Sequence, residues 1–333
     1  MGNSNKILKS IVYSLYNKSE NFEEVAMKVF DYQKQRNKIY SEYLSLLPTR
    51  LNNPKNFQEI PHIPISAFKK YKIKTGNWSE ELQFVSSGTS QHPTNSIHLI
   101  RSSEWYLQNA QKAFEMHFGK VSDYCFLALL PHYLERGNSS LVYMVNHFIK
   151  ESNYPQSAFY LHDYQALFST LNACSEKQIP TILFGVSYAL LDFFKAYYVN
   201  FPELIIMDTG GMKGRNKELT KQELYENYKK GCNTHRFCSE YGMTELLSQA
   251  YALDCSNYRL PPTMKISARE LNDPFATAKN GKAGQAFVTD LANIDTCAFI
   301  ATDDLILSNN NGTFQVLGRM DHSEIRGCNL LVS

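Results

Sequence analysis

Two hydrophobic textures alternate along the central part of the chain. The continuous apolar run Tyr124-Cys125-Phe126-Leu127-Ala128-Leu129-Leu130, closed by Pro131, has the character of a strand buried on both faces. Amphipathic stretches with helical spacing separate such runs. Taken in order, the pattern predicts helix over 102–118, strand over 124–130, helix over 140–151, strand near 157–161 and helix over 164–176. Strand over 181–184, helix over 187–199 and strand over 204–207 follow. Strands alternating with amphipathic helices over a hundred residues imply an α/β fold, a mostly parallel sheet covered by helices. Ligands gather at the carboxyl ends of such strands. Loops leaving strands at Ser86, Gly185, Thr209 and Ser239 are therefore expected to converge on one crevice.

The two ends read differently. Residues 7–17 and 22–46 carry helical periodicity, the second segment opened by Asn21 with Glu24 three positions on. They predict a helical cover over residues 1–58. Ile60-Pro61-His62-Ile63-Pro64-Ile65 cannot be helical, because each proline drives its predecessor towards extended geometry. It leads into an α/β core over 59–260, in which Thr220 and Glu223 form a capping box for a helix ending near Gly231. Arg236-Phe237-Cys238 then reads as a short strand. Beyond Pro261-Pro262 the chain breaks into short strands at 263–268, 285–290, 298–300, 305–307 and 313–317, with Asn310-Asn311-Gly312 as a hairpin turn. A small β-rich C-terminal subdomain is expected over 261–333.

Composition narrows the function classes. At 333 residues, 43% hydrophobic and 20% charged, the chain has the make-up of a globular protein with two or three subdomains. Lys plus Arg numbers 34 and Asp plus Glu 32, and a net charge of +2 excludes the broad basic field of a nucleic-acid binder. Any anion site is therefore local. The 21 tyrosines and 20 phenylalanines suit aromatic-lined pockets, although cores use the same residues. Seven cysteines, Cys125, Cys174, Cys232, Cys238, Cys255, Cys297 and Cys328, lie scattered without zinc-ligand spacing. Reduced thiols in a cytoplasmic protein are the simplest reading. No stretch approaches the ~18–20 apolar residues of a membrane span. Lys6 stands where a myristoylation signal needs Ser or Thr.

Four patches carry candidate chemistry. Phe84-Val85-Ser86-Ser87-Gly88-Thr89-Ser90-Gln91-His92-Pro93-Thr94 offers four hydroxyls and a glycine in five consecutive positions, Ser86, Ser87, Gly88, Thr89 and Ser90. It is either a surface turn or a loop that wraps phosphates. No Gly-Lys-Ser/Thr follows, so it is not a Walker loop. Tyr241-Gly242-Met243-Thr244-Glu245 taken alone is a turn with a helix cap at Thr244, or a site. Ala301-Thr302-Asp303-Asp304-Leu305 alone reads as a solvated β-turn, and Gly318-Arg319-Met320-Asp321 as a turn with surface charge.

In this order and spacing the four patches resemble the adenylate-forming, or acyl-activating, enzyme superfamily over residues 84–328. Within it the chain is most similar to LuxE-type acyl-protein synthetases. That likeness is carried by Leu130-Pro131-His132-Tyr133-Leu134-Glu135-Arg136, Gly210-Gly211-Met212-Lys213-Gly214 and Asp321-His322-Ser323-Glu324-Ile325-Arg326-Gly327-Cys328. Aryl-CoA ligases of the phenylacetate type are the next nearest. The resemblance implies activation of a carboxylic acid, a fatty acid in LuxE-type enzymes, by ATP and Mg²⁺ to an acyl-AMP. A thiol then takes the acyl group.

By the family pattern Ser86 to Ser90 hold the β- and γ-phosphates, Glu245 binds Mg²⁺ and Thr244 donates to the α-phosphate. Gly210, Gly211 and Tyr241 frame the adenine, Gly242 belongs to the same cofactor-binding set, Asp304 accepts the ribose hydroxyls, and Arg319 assists at the ribose or phosphate. Cys328 is the implied acyl acceptor, with Arg326 beside it favouring the thiolate. His132 is either structural or orients the substrate carboxylate. The implied partner is an acyl-CoA reductase-like or acyltransferase protein. The chain departs from the superfamily at Gln91 and Thr94, where Gly and Lys are usual. Twelve residues follow Asp321, so the superfamily's C-terminal lid domain is expected to be absent. Two rival readings remain open: a ligase using free CoA, and a non-catalytic acyl- or adenylate-binding subunit.

Overall fold

The computed structural model describes residues 2–86, 95–130, 138–210, 219–254, 256–273, 276–279 and 281–320. Three helices open the chain: α1 (Gly2–Ser14), α2 (Phe22–Arg36) and α3 (Lys38–Leu46). Asn21 caps α2, its side chain accepting from the Glu23 and Glu24 amides as the sequence suggests. The helix expected over 22–46 is broken at Asn37, whose extended backbone (φ −101°, ψ 103°) ends α2 and caps α3. The cause is tertiary. Asn37 Nδ2 donates to Thr75 Oγ1 (3.1 Å) and the Thr296 carbonyl (2.7 Å), bonds that a helical Asn37 would give up.

A short strand β1 (Ile63–Pro64) and helix α4 (Ala67–Lys70) lead to an antiparallel hairpin, β2 (Leu82–Val85) and β3 (Ile97–Ile100), which stands apart from the main sheet. Helix α5 (Ser103–Phe118) precedes the alternating core. That core runs β4 (Cys125–Leu129), α6 (Ser140–Glu151), β5 (Ala158–Phe159), α7 (Tyr164–Glu176), β6 (Thr181–Val186), α8 (Ser187–Ala196), β7 (Ile205–Thr209), α9 (Lys221–Lys229) and β8 (Arg236–Tyr241). Its strands pair in parallel in the order β5-β4-β6-β7-β8, and β4, β6 and β7 are buried throughout, as a sheet covered on both faces requires. Helix α8 stops at Ala196 rather than 199, and Gly185 and Ser239 lie inside strands rather than opening loops.

The remaining strands are β9 (Ala250–Ala252), β10 (Tyr258–Arg259), β11 (Met264–Arg269), β12 (Ala283–Asp290), β13 (Phe299–Ser308) and β14 (Phe314–Arg319). They continue the same sheet with antiparallel pairing, and β1 adds alongside β13, giving twelve strands among the described residues. The predicted strands 298–300 and 305–307 are one strand. The Ala301–Leu305 patch therefore lies mid-strand rather than in a solvated turn, because Thr302, Asp304 and Ile306 alternate inward. Asn310–Gly312 does turn between β13 and β14, with Gly312 at φ +79°. No helix is long and apolar enough to cross a membrane among the described residues.

Candidate active site

Three residues from three separate motifs meet where the ends of β8 and β14 reach the middle of β13. Register places Asp304 directly opposite Arg319. Tyr241, at the end of β8, donates its hydroxyl to Asp304 Oδ2 (2.8 Å), and Arg319 Nε donates to Asp304 Oδ1 (3.2 Å). Asp304 is buried, whereas the Arg319 side chain is 75% exposed and presents its remaining donors to solvent. Burial first, and then the Asp304 charge, push the Tyr241 phenol well above its ordinary value, so it stays a donor. Tyr258 and Phe314 wall the spot, their rings 5.7 and 5.3 Å from that of Tyr241.

The turn after β8 carries Gly242, Thr244 and Glu245. Glu245 is 5% exposed, and burial raises its carboxyl, an effect opposed by the Ser96 hydroxyl and by the charges of Arg319 and Lys69. Ser96 also closes the neck of the hydroxyl-rich loop. The Ser86 amide donates to the Ser96 carbonyl (3.0 Å), and the Ser96 amide donates to Ser86 Oγ (2.8 Å). Ser86 and Glu245 are thus linked through one residue.

Thr244 is held from behind. His98 Nδ1 donates to its carbonyl (2.8 Å), while Thr296 Oγ1 donates to His98 Nε2 (2.9 Å). Burial drives the His98 imidazole down to about 4, fixing it as the neutral ring. His98 was not among the sequence candidates. The available signal was the alternation Ser96-Ile97-His98-Leu99, which puts Ser96 and His98 on one face of β3.

Gly210, with φ +69°, directly follows β7. Ser187 Oγ donates to Asp208 Oδ1 (2.6 Å) and lies 3.1 Å from the Gly210 carbonyl. Lys221 Nζ reaches Asp208 Oδ2 (2.6 Å) and Ser239 Oγ (3.0 Å). Burial works against the Lys221 charge, but Asp208 outweighs it and holds the ammonium above its usual range. On the opposite face of these strands Glu240 is buried and bonded to the Thr209 hydroxyl. Burial pushes its carboxyl up to about 7, with Thr209 and Lys221 opposing. Neither Asp208 nor Glu240 was singled out from the sequence.

The structure therefore brings together Tyr241, Asp304 and Arg319, and links Ser86 to the turn of Gly242, Thr244 and Glu245. Gly210 directly follows the adjacent parallel strand. Ser87, Gly88, Thr89, Ser90, Gly211, His132 and Cys328 lie outside the described residues, as do Gln91, Thr94 and Arg326. Among the described residues no three acidic, His or Cys side chains cluster for a metal. Mg²⁺ held through one carboxylate and substrate phosphates needs no such cluster, and the Glu245 carboxyl, with the Ser96 hydroxyl and its own amide as partners and no cation bonded to it, fits that donor set.

No family model matches the sequence, and no curated protein matches it. Solved structures do. An open conformation of 2-hydroxyisobutyryl-CoA ligase, in complex with 2-HIB-AMP and CoA, superposes with a TM-score of 0.63 at 12% identity, over 89% of this chain and 68% of that one. ATP-bound MatB from Rhodopseudomonas palustris gives 0.53 at 12% identity, over 73% of this chain. The fold is shared with adenylate-forming ligases. O-succinylbenzoate coenzyme A synthetase (MenE) from Bacillus subtilis, in complex with ATP and magnesium ion, gives 0.50 at 15% identity over 71% of this chain. The chain spans about half the length of MatB and MenE, 49% in each case.

Proposed function

We propose that the chain activates a carboxylic acid with ATP, and that the acyl group passes to Cys328 as a thioester, as the LuxE-type resemblance implies. The observation that carries the first half is the meeting of Tyr241, Asp304 and Arg319 beside a buried Glu245 tied to the neck of the hydroxyl-rich loop. A substrate carboxylate oxygen attacks the α-phosphorus, and the bond to the bridging oxygen breaks, releasing pyrophosphate. Displacement at phosphorus needs charge neutralisation and in-line placement more than covalent help. Asp304, an acceptor-only group, orients the ribose. Arg319 neutralises phosphate charge, and Thr244, fixed through His98, donates to the α-phosphate. Glu245 would hold Mg²⁺, which would supply further neutralisation of the phosphate charge. The Cys328 thiolate then attacks the acyl carbon and AMP leaves. A fatty acid and a reductase- or transferase-type recipient belong to the same reading.

The test is incubation with ATP, Mg²⁺ and a panel of radiolabelled acids, followed by a denaturing gel and a neutral hydroxylamine wash. Label that stays on the protein, is released by hydroxylamine and vanishes in Cys328→Ser is the expected result. Pyrophosphate without retained label moves the acceptor to an external thiol such as CoA. No pyrophosphate across the panel leaves a binding subunit.

A further inference from the structure

Six buried acidic side chains occur among the described residues, and their partners sort them. Asp208 faces Lys221, Asp295 faces Lys9 and Arg101, and Asp304 faces Arg319. Asp290 accepts from the Leu247, Ser248 and Ala292 amides. The other two have fewer donors. Glu245 has the Ser96 hydroxyl and its own amide, and Glu240 has the Thr209 hydroxyl. A buried carboxyl with so few donors is costly unless a ligand completes it. For Glu245 the proposed Mg²⁺ does so. Nothing described so far does so for Glu240.

The surroundings of Glu240 repeat the deficit. In register it lies directly opposite Tyr251, whose buried hydroxyl has no partner. Gln249 contributes a buried amide oxygen that is also unpartnered. Both Glu240 and Gln249 crowd the same point. A Cβ built on Gly242 would stand 2.5 Å from Glu240 Oε1 and 3.4 Å from Gln249 Cγ. The carboxyl is thus folded under the turn that carries Thr244 and Glu245. Strand alternation divides the end of β8, with Tyr241 turned to Asp304 and Glu240 turned to the opposite face. On that face the Tyr251 ring packs 6.0 and 5.6 Å from Phe114 and Phe118 of α5.

We propose that Glu240, with the Tyr251 hydroxyl and the Gln249 amide oxygen, selects a carboxylic acid whose acyl group carries a hydrogen-bond-donating hydroxyl or amino group. The inference rests on the activation reading above and names its substrate class. A wholly apolar acyl chain would leave these already buried polar atoms unsatisfied, while a donor-bearing chain completes them. Sites built to bond a substrate hydroxyl or amine reject the analogue lacking it far more strongly than apolar pockets discriminate by size.

The experiment measures ATP-dependent pyrophosphate release with matched acids: butyric and 3-hydroxybutyric acid; hexanoic, 6-hydroxyhexanoic and 6-aminohexanoic acid; benzoic, 4-hydroxybenzoic and 4-aminobenzoic acid. In at least one series the donor-bearing member is expected to exceed its plain parent in kcat/KM by ~100-fold or more. Glu240→Gln and Tyr251→Phe should each cut that ratio at least tenfold. The second variant keeps the packed ring and removes only a hydroxyl without a partner, so its fold is preserved. Whether hydroxyl or amine is favoured identifies the donor. Plain acids used as well as their substituted partners, or a preference unmoved in both variants, overturns this inference and leaves activation standing. No pyrophosphate with any acid overturns the activation reading and this one with it.

Discussion

Asp304 shows how much a single side chain is asked to do. Both of its oxygens are engaged, one by the Tyr241 hydroxyl and one by Arg319, yet a carboxylate offers about four lone-pair sites. It can hold its protein partners and still accept from a ribose. Asp304→Asn keeps the shape but replaces one acceptor with a donor and strands the Arg319 charge. Hydrogen bonds to charged groups contribute about 1.5–3 kcal/mol, so the KM for ATP should rise roughly tenfold to a hundredfold. Because Arg319 is largely exposed, the ion pair itself adds little to folding. Denaturation midpoints should therefore move far less than ATP use, and titrating ATP against pyrophosphate release checks the split. An unaltered ATP dependence would remove Asp304 from the site. Tyr241, Asp304 and Arg319 were legible in the sequence because each sits in a short pattern of unusual residue types. Glu240 was not, because one acidic residue before a tyrosine carries no signal until burial and register show that it lacks partners.

At the scale of elements, the alternating core was legible and its margins were less so. Runs such as Cys125–Leu129 announce buried strands by composition alone. The break at Asn37 could not be read, because its cause lies more than 200 residues away at Thr296. Periodicity reports local preference, and here a tertiary bond wins. The same limit merged two predicted strands into β13, since Asp303 and Asp304 look like turn residues until Asp304 is seen facing Tyr241. Gln33 pins the same region, donating to the Asn293 and Ile294 carbonyls and accepting from the Ala298 amide. The segment so held includes Asn293, which donates to the Glu245 carbonyl, and Thr296, which holds His98. The N-terminal helices therefore brace the site from behind. Asn37→Ala removes a helix cap and leaves the Thr296 carbonyl with one fewer donor, at a cost of about 1–3 kcal/mol. A fall of that size in chemical denaturation is expected. A variant as stable as the parent would mean that α2 and α3 can join into one helix without loss.

For the molecule as a whole, buried titratable groups set opposing dependences of stability on pH. His62 and His98 are held down by burial, to about 3 and about 4 from 6.5. Their contribution is complete above the unfolded value and is lost as pH falls towards the folded ones. Glu240 runs the other way. Its folded value is raised from 4.5 to about 7, so its contribution is complete below 4.5 and is lost as pH rises through 7. Between 4.5 and 6.5 the two slopes partly cancel, so the parent curve alone does not separate them. The difference between Glu240→Gln and the parent does, because the histidines are common to both. That difference should shift in favour of the variant by roughly 3 kcal/mol between pH 4.5 and pH 7.5, at about 1.4 kcal/mol per unit of displaced pKa. Urea unfolding of both proteins at half-unit intervals measures it. A difference that stays flat across the window means that Glu240 titrates near its ordinary value in contact with water, and a carboxyl already solvated gives no reason for a substrate donor to seek it.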